Sequence, residues 1–393
     1  MFPTQPGQTV DILRTRGHLA LGEKARQALA RVSDSGKALQ PLTEILTETL
    51  RRQSPLMLAQ IFSHPLASMD LSDEGGDGTL PIRILRHLIG APAVSSLAVS
   101  LTADQLGDGL YLPHLHMTLR PAGGQVTGIL QQKNRLQLIR SDGTALTVNR
   151  EQLLPARLHH PLVELQPSAG FLTVLNKVPE IRQHWHHLGL AAGDELAVGI
   201  QRLERGLALL GEVWPEAASA LRRHVRSVVL LRDRGYQRSH SPPDLCGNIF
   251  MTTSSPVMIG DLLAHEASHI RMHWFQAFDP MILPRHQDPT EARFFSPWRP
   301  DPRPLNGLTL GIHAFFNVCE WYRRIIATLP DQAPRAPEIL RKQLTNTRAA
   351  LKILKGEGNP TALGQQLMRE FDAADRSFST HPVNRAIAEA DPL

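Results

Sequence analysis

Residues 257–275 read VMIGDLLAHEASHIRMHWF and contain His265-Glu266-Ala267-Ser268-His269, an HExxH sequence. Histidines four positions apart fall on one helical face and can grip a single metal ion. The surroundings suit a helix, since no proline or glycine lies between Asp261 and Phe278. Ser255 is placed to cap it, and Pro256 falls in the first turn, where a missing N–H costs nothing. Leu262, Ile270 and Phe278 are expected to form its apolar face. Two satisfied histidines on an ordinary buried helix would give the same letters, so the rest of the chain has to supply the context.

With 393 residues the chain is long enough for a large core, and a catalytic body with a smaller N-terminal part is expected. Hydrophobic residues at 42% and charged residues at 20% make a soluble, globular composition. The net charge of +5 is mild and the arginines are scattered. No Lys/Arg block is interleaved with aromatics, which argues against a nucleic-acid partner. Cys246 and Cys319 are too few for a disulfide framework and read as small buried residues. The stretch MFPTQPGQTVDILRTRG lacks the apolar core of a secretory signal. No apolar run of about 18 residues predicts a membrane span. A cytoplasmic protein with no membrane partner is the expectation.

The fold class read from the pattern is α+β and mostly helical. An HExxH helix packs on a downstream ligand helix, and a small antiparallel sheet comes from the middle of the chain. Residues 1–94 form a helical N-terminal region, with GEKARQALARVSDS, LQPLTEILTETLRRQ and IRILRHLI as helices and SDEGGDG (72–78) as a loop. Residues 95–178 form a small β-rich region of short runs such as LYLPHLHMTLRP, QVTGIL, NRLQLIR and ALTVNR. His114 and His116 would share one side of such a strand. Residues 179–393 form a mainly helical catalytic region. Its part 179–231 is read as helical with turns at Gly189 and Gly193 and a break near Pro215, and His184, His186 and His187 are read as surface. NIFMTTSS (248–255) reads as a strand before the metal helix, and a strand edge there could pair with an extended peptide. The coil 279–307, rich in Pro, Arg and Asp, is long enough to suggest a functional loop. Helices follow over about 309–326, about 336–355 and up to about Asp375, with GEGNPTAL as a break.

A catalytic metal needs a third protein ligand and open positions. His273 continues the same face, but one straight helix rarely bends three such ligands onto one ion, because the outer pair stand ~12 Å apart. His273 is therefore read as a supporting or core residue. On the 309–326 helix, His313 and Glu320 lie two turns apart on one face, and either could complete the site. His286 is a weaker candidate. Arg299 and Arg303, in the proline-stiffened SPWRPDPRPLNG, could hold a carboxylate through paired hydrogen bonds, with Arg323 and Arg324 as alternatives.

The run HEASHI, then Asp279-Pro280, then SPWRPDPRPLNGLTLGIHAFFNVCEWYRR resembles the HEXXH-motif peptide-modification proteins of modified-peptide biosynthesis. WPEAASALRRHVRSVVLL resembles the lead-in to the core of that family, and the likeness covers about 210–326. The resemblance implies an iron- and 2-oxoglutarate-dependent oxygenase, a peptide β-hydroxylase acting on a ribosomally synthesised precursor peptide. It implies His265 and His269 as paired Fe(II) ligands and His313 as the third, with Glu266 fixing a histidine or a water. The N-terminal part would serve substrate or leader recognition. The alternative reading is a zinc metallopeptidase, in which Glu266 takes the proton from a zinc-bound water.

Overall fold

The structure, a computed structural model, describes residues 8–32, 40–72, 79–102, 105, 109–120, 126–133, 135–149, 163–288 and 290–380. The chain begins with five helices: α1 (Gln8–Val32), α2 (Gln40–Arg51), α3 (Pro55–Ile61), α4 (Leu66–Ser72) and α5 (Leu80–Leu88). Their apolar spacing does the packing. Leu42, Leu46 and Leu50 of α2 recur every four residues and are buried. Of the loop expected at 72–78, Ser72 is instead the last residue of α4, and 73–78 lie outside the described residues.

Seven strands follow: β1 (Ser96–Ser100), β2 (Leu110–Leu112), β3 (Met117–Leu119), β4 (Val126–Gln132), β5 (Arg135–Arg140), β6 (Ala145–Asn149) and β7 (Val163–Leu165). They make a four-stranded antiparallel sheet, β1-β4-β5-β6, and a three-stranded one, β2-β3-β7. In β1, Leu97 and Val99 turn inward while Ser96, Ala98 and Ser100 stay exposed, the alternation of a half-buried strand. One expectation fails here. His114 and His116 do not share the side of a strand, because Pro113 opens a tight 3-10 turn over Pro113–Leu115 and His116 takes a left-handed φ of 51°. His114 Nε2 lies 2.8 Å from the carbonyl of Ile61, and His116 Nδ1 lies 2.9 Å from Thr173 Oγ1.

The next elements are β8 (Ser168–Ala169), β9 (Leu172–Val174), α6 (Pro179–Trp185), α7 (Gly193–Val213), α8 (Pro215–His224), β10 (Ser227–Leu230), β11 (Ser239–His240) and β12 (Asn248–Met251). The strands form one five-stranded sheet in the order β11-β12-β10-β9-β8. Its centre is parallel, β9 and β12 both running with β10, so this sheet is mixed rather than antiparallel. Residues 227–230, read as the end of a helix, are its middle strand. A fully buried Ser-Val-Val-Leu run has no polar face, and periodicity cannot separate such a strand from a buried helix. β12 lies inside the sheet, and the edge beside the metal helix is β11.

The last third holds α9 (Pro256–Gln276), β13 (Ile282–Pro284), α10 (Leu305–Thr328), α11 (Ala336–Glu357), β14 (Gly358–Pro360) and α12 (Ala362–Thr380). β13 and β14 pair antiparallel, tying the long 279–307 segment to the break before α12. Ser255 caps α9, its Oγ accepting from the N–H of Met258 at 3.3 Å. The buried side of α9 includes Ile259, Leu263 and Ile270, whereas Phe278 lies beyond the helix end and is exposed. Gly260 lets α9 and α10 approach closely, since a Cβ there would meet the Trp321 ring at 2.3 Å. The core divides into a large cluster under α7–α12, a second joining α1–α5 to β1–β6, and a small third containing Leu66, Tyr111, Val229 and Phe250. Fully buried side chains such as Leu263, Ile270 and Phe316 contribute roughly 1.5–3 kcal/mol each.

Candidate metal centre

The middle turns of α9 bring His265 and His269 ring to ring. Their centroids lie 4.6 Å apart with planes at 86°, and the two Nε2 atoms are 2.9 Å apart. Glu266 is 2% exposed. Ser241, just after β11, donates its hydroxyl to Glu266 Oε2 at 2.5 Å. Nitrogens of both histidines and an oxygen of Glu266 lie within 4.8 Å of one another, the one such group of three among the described residues. His273 Nε2 donates to the carbonyl of Ser241 at 3.1 Å, so this histidine pins the strand end to the helix and does not join the cluster.

Burial holds the His269 imidazole well below its ordinary pKa, and the neighbouring His265, His273, His313 and His240 push the same way. A neutral imidazole is the form that binds a metal. The spacing fits as well. Two nitrogens at about 2.1 Å from one ion stand about 3.0 Å apart at a right angle and about 3.4 Å at a tetrahedral angle. Without an ion, 2.9 Å is a hydrogen bond between one protonated and one bare Nε2. His269 Nδ1 is buried without a partner. One turn before His265, Asp261 Oδ2 accepts from the Tyr322 hydroxyl at 2.7 Å, and burial raises the carboxyl's pKa.

An aromatic wall stands beside the histidines. The Phe315 ring meets His265 edge-on at 4.8 Å, and Trp298 stacks on Phe315 at 4.6 Å with planes at 10°. The Trp298 indole N–H donates to Gln343 Oε1 at 3.2 Å, and a Cβ at Gly311 would meet its ring at 2.9 Å. His265, His269, Phe315 and Trp298 are all half-buried, so this face is open to solvent.

α10 therefore delivers Phe315 to the metal face. His313, two residues earlier, points about 200° away round the helix. It is buried, its Nδ1 has no partner, and its carbonyl accepts from Asn317 Nδ2 at 2.8 Å. Asn317 in turn lines a small cleft with Ala264, Ser268 and Arg271, on the other side of α9. His313 thus stays outside the three-donor cluster. Glu320 is engaged elsewhere. It accepts from Arg323 at 2.5 and 2.6 Å and from Arg324 at 2.7 Å. Arg324 also lies over the Trp214 ring and pairs with Glu216. Arg299 and Arg303 both pair with Asp301, at 3.3 and 3.0 Å, in the loop that carries Trp298. His286, His184, His186 and His187 are exposed. Both cysteines are free, and burial pushes the Cys246 thiol up to about 12.

No protein-family model and no curated protein matches the chain. The His265–Glu266–His269 cluster is a donor set suited to a divalent metal and to metal-dependent catalysis. No helix among the described residues is long and apolar enough to cross a membrane. Sequence reasoning passed over Ser241, Phe315 and Trp298. Trp298 lay inside a quoted stretch read only for its arginines, while Ser241 carries no local signal.

Proposed function

We propose that the protein is a non-haem iron(II)- and 2-oxoglutarate-dependent oxygenase that hydroxylates a side-chain β-carbon of a ribosomally synthesised peptide. The observation that carries this reading is the His265–Glu266–His269 cluster, two imidazoles and a carboxylate gathered at one spot, a donor set that a non-haem iron can take. The resemblance across 210–326 supports it. His265 and His269 would hold the iron. The third protein position goes to Glu266, the carboxylate already in the cluster, oriented by Ser241. Iron with 2-oxoglutarate and O2 would supply the oxidising power to break an unactivated C–H bond, O2 giving one oxygen atom to the product and one to the succinate formed as CO2 leaves. The chain's own share is to present the peptide along the open face between α9 and the Trp298–Phe315 wall. A distal carboxylate would find Arg299 or Arg303 in the adjoining loop, once either leaves Asp301.

Protein purified without oxygen should take up one iron, and added 2-oxoglutarate should give a visible charge-transfer band. Retained zinc, cleaved peptide and no succinate would sink the proposal. Those outcomes belong to the second reading, a zinc metallopeptidase with Glu266 as base. It is favoured by the sheet-edge strand β11, which is followed directly by Ser241 against the same glutamate.

A further inference from the structure

The far side of α9 carries a second concentration of charge. Arg271 follows His269 by two residues and so points about 200° away from it. There α9 meets α1 and the last turn of α8, which holds Arg222, Arg223 and His224, with Arg226 just beyond. Arg14 of α1 donates to the carbonyl of Arg223. One turn on, His18 meets the Trp274 ring edge-on at 5.2 Å, and Gly17 backs onto the same indole. His224 is 4% exposed, and its Nδ1 has no partner. Arg223 Nε and Trp274 Nε1 are likewise buried and unpartnered.

Charge at the junction is unbalanced. Among the described residues, Arg14, Arg223, Arg226 and Arg271 gather round His224, with Asp11 3.2 Å from Arg14 and Glu370 near Arg271. Burial and the surrounding arginines push both His18 and His224 down to about 3.

We propose that the α1–α8–α9 junction is a binding site for a small oxyanion, a carboxylate or a phosphate. An arginine Nε and an indole N–H can only donate, and the buried acceptor beside them, Asp11 Oδ1, lies against the Arg14 guanidinium at 3.2 Å rather than on either. Each buried donor left unmade costs about 1–3 kcal/mol. The C-terminal dipole of α8 favours the basic residues beside it. It satisfies none of the three unpartnered nitrogens. An oxyanion answers both needs, because it brings several lone pairs and negative charge to one point. The site is separate from the metal pair and stands whether or not the oxygenase reading does.

Calorimetry on the full chain at low salt, with inorganic phosphate, succinate and hexaglutamate as probes, tests it. Saturable binding of phosphate or succinate alone supports a free small anion as occupant. Hexaglutamate binding as well extends the site to acidic side chains. In the Arg14→Gln/Arg223→Gln double variant every affinity seen should fall at least ~10-fold, the worth of one charge-assisted hydrogen bond. If circular dichroism shows that variant misfolded, the exposed Arg226→Gln should still weaken binding about threefold and flatten its salt dependence. No binding of any probe, or affinities unchanged in a folded variant, overturns the proposal.

Discussion

α9 and α10 pack against each other yet spend their polar side chains differently. On α9, His265, Glu266 and His269 meet one another at one spot. On α10, Glu320 draws in Arg323 and Arg324 of its own helix, while His313 is buried with its Nδ1 unpartnered, outside the three-donor cluster. What α10 gives to the metal face is an apolar ring, Phe315. Proximity inside one helix follows from 3.6 residues per turn. Proximity between helices depends on how each is rotated about its axis. Close packing at Gly260 against Trp321 is one part of that interface here.

This contrast can be broken by experiment. The largest effect is expected at the histidines: His265→Ala or His269→Ala should remove stoichiometric metal and drop turnover to background, read by metal analysis and succinate release. Full metal occupancy in either variant would move the site elsewhere. Ser241→Ala should come next, lowering metal affinity or turnover about 10–100-fold by freeing Glu266, with little change in melting temperature.

Glu320→Ala tests the other helix. It strips two guanidiniums of a buried partner, so a loss of about 2 kcal/mol in urea unfolding is expected, with metal binding intact. A metal-binding defect in that variant would mean that α10 supplies a ligand after all. His313→Ala should change metal occupancy least, and loss of metal there would show that α10 rotates on loading.

Acid probes the junction. His18 and His224 titrate near 6.5 in an unfolded chain and at about 3 when folded. Between those values the unfolded chain holds more protons. Their contribution to stability is therefore complete above pH 6.5 and erodes as pH falls toward 3. Urea midpoints should drop across that window, and His224→Asn should make the drop shallower. A slope that is unchanged in the variant would remove His224 from the account.

The helix of the HExxH run, its Ser255 cap and the pairing of its two histidines were legible in residues 255–276, because each depends on neighbours within two turns. The helical N-terminal segments and the short strands after 95 were legible for the same reason. The parallel strand at 227–230 was not, since a fully buried run has no periodic face to show. Nor was Ser241's hold on Glu266, across 25 residues of chain, or the Trp298–Phe315 wall. The sequence alone determined that two imidazoles would share a helical face. Tertiary structure decided that Glu266, Ser241 and an aromatic wall surround them, because the rotation of a packed helix is a property of its whole interface.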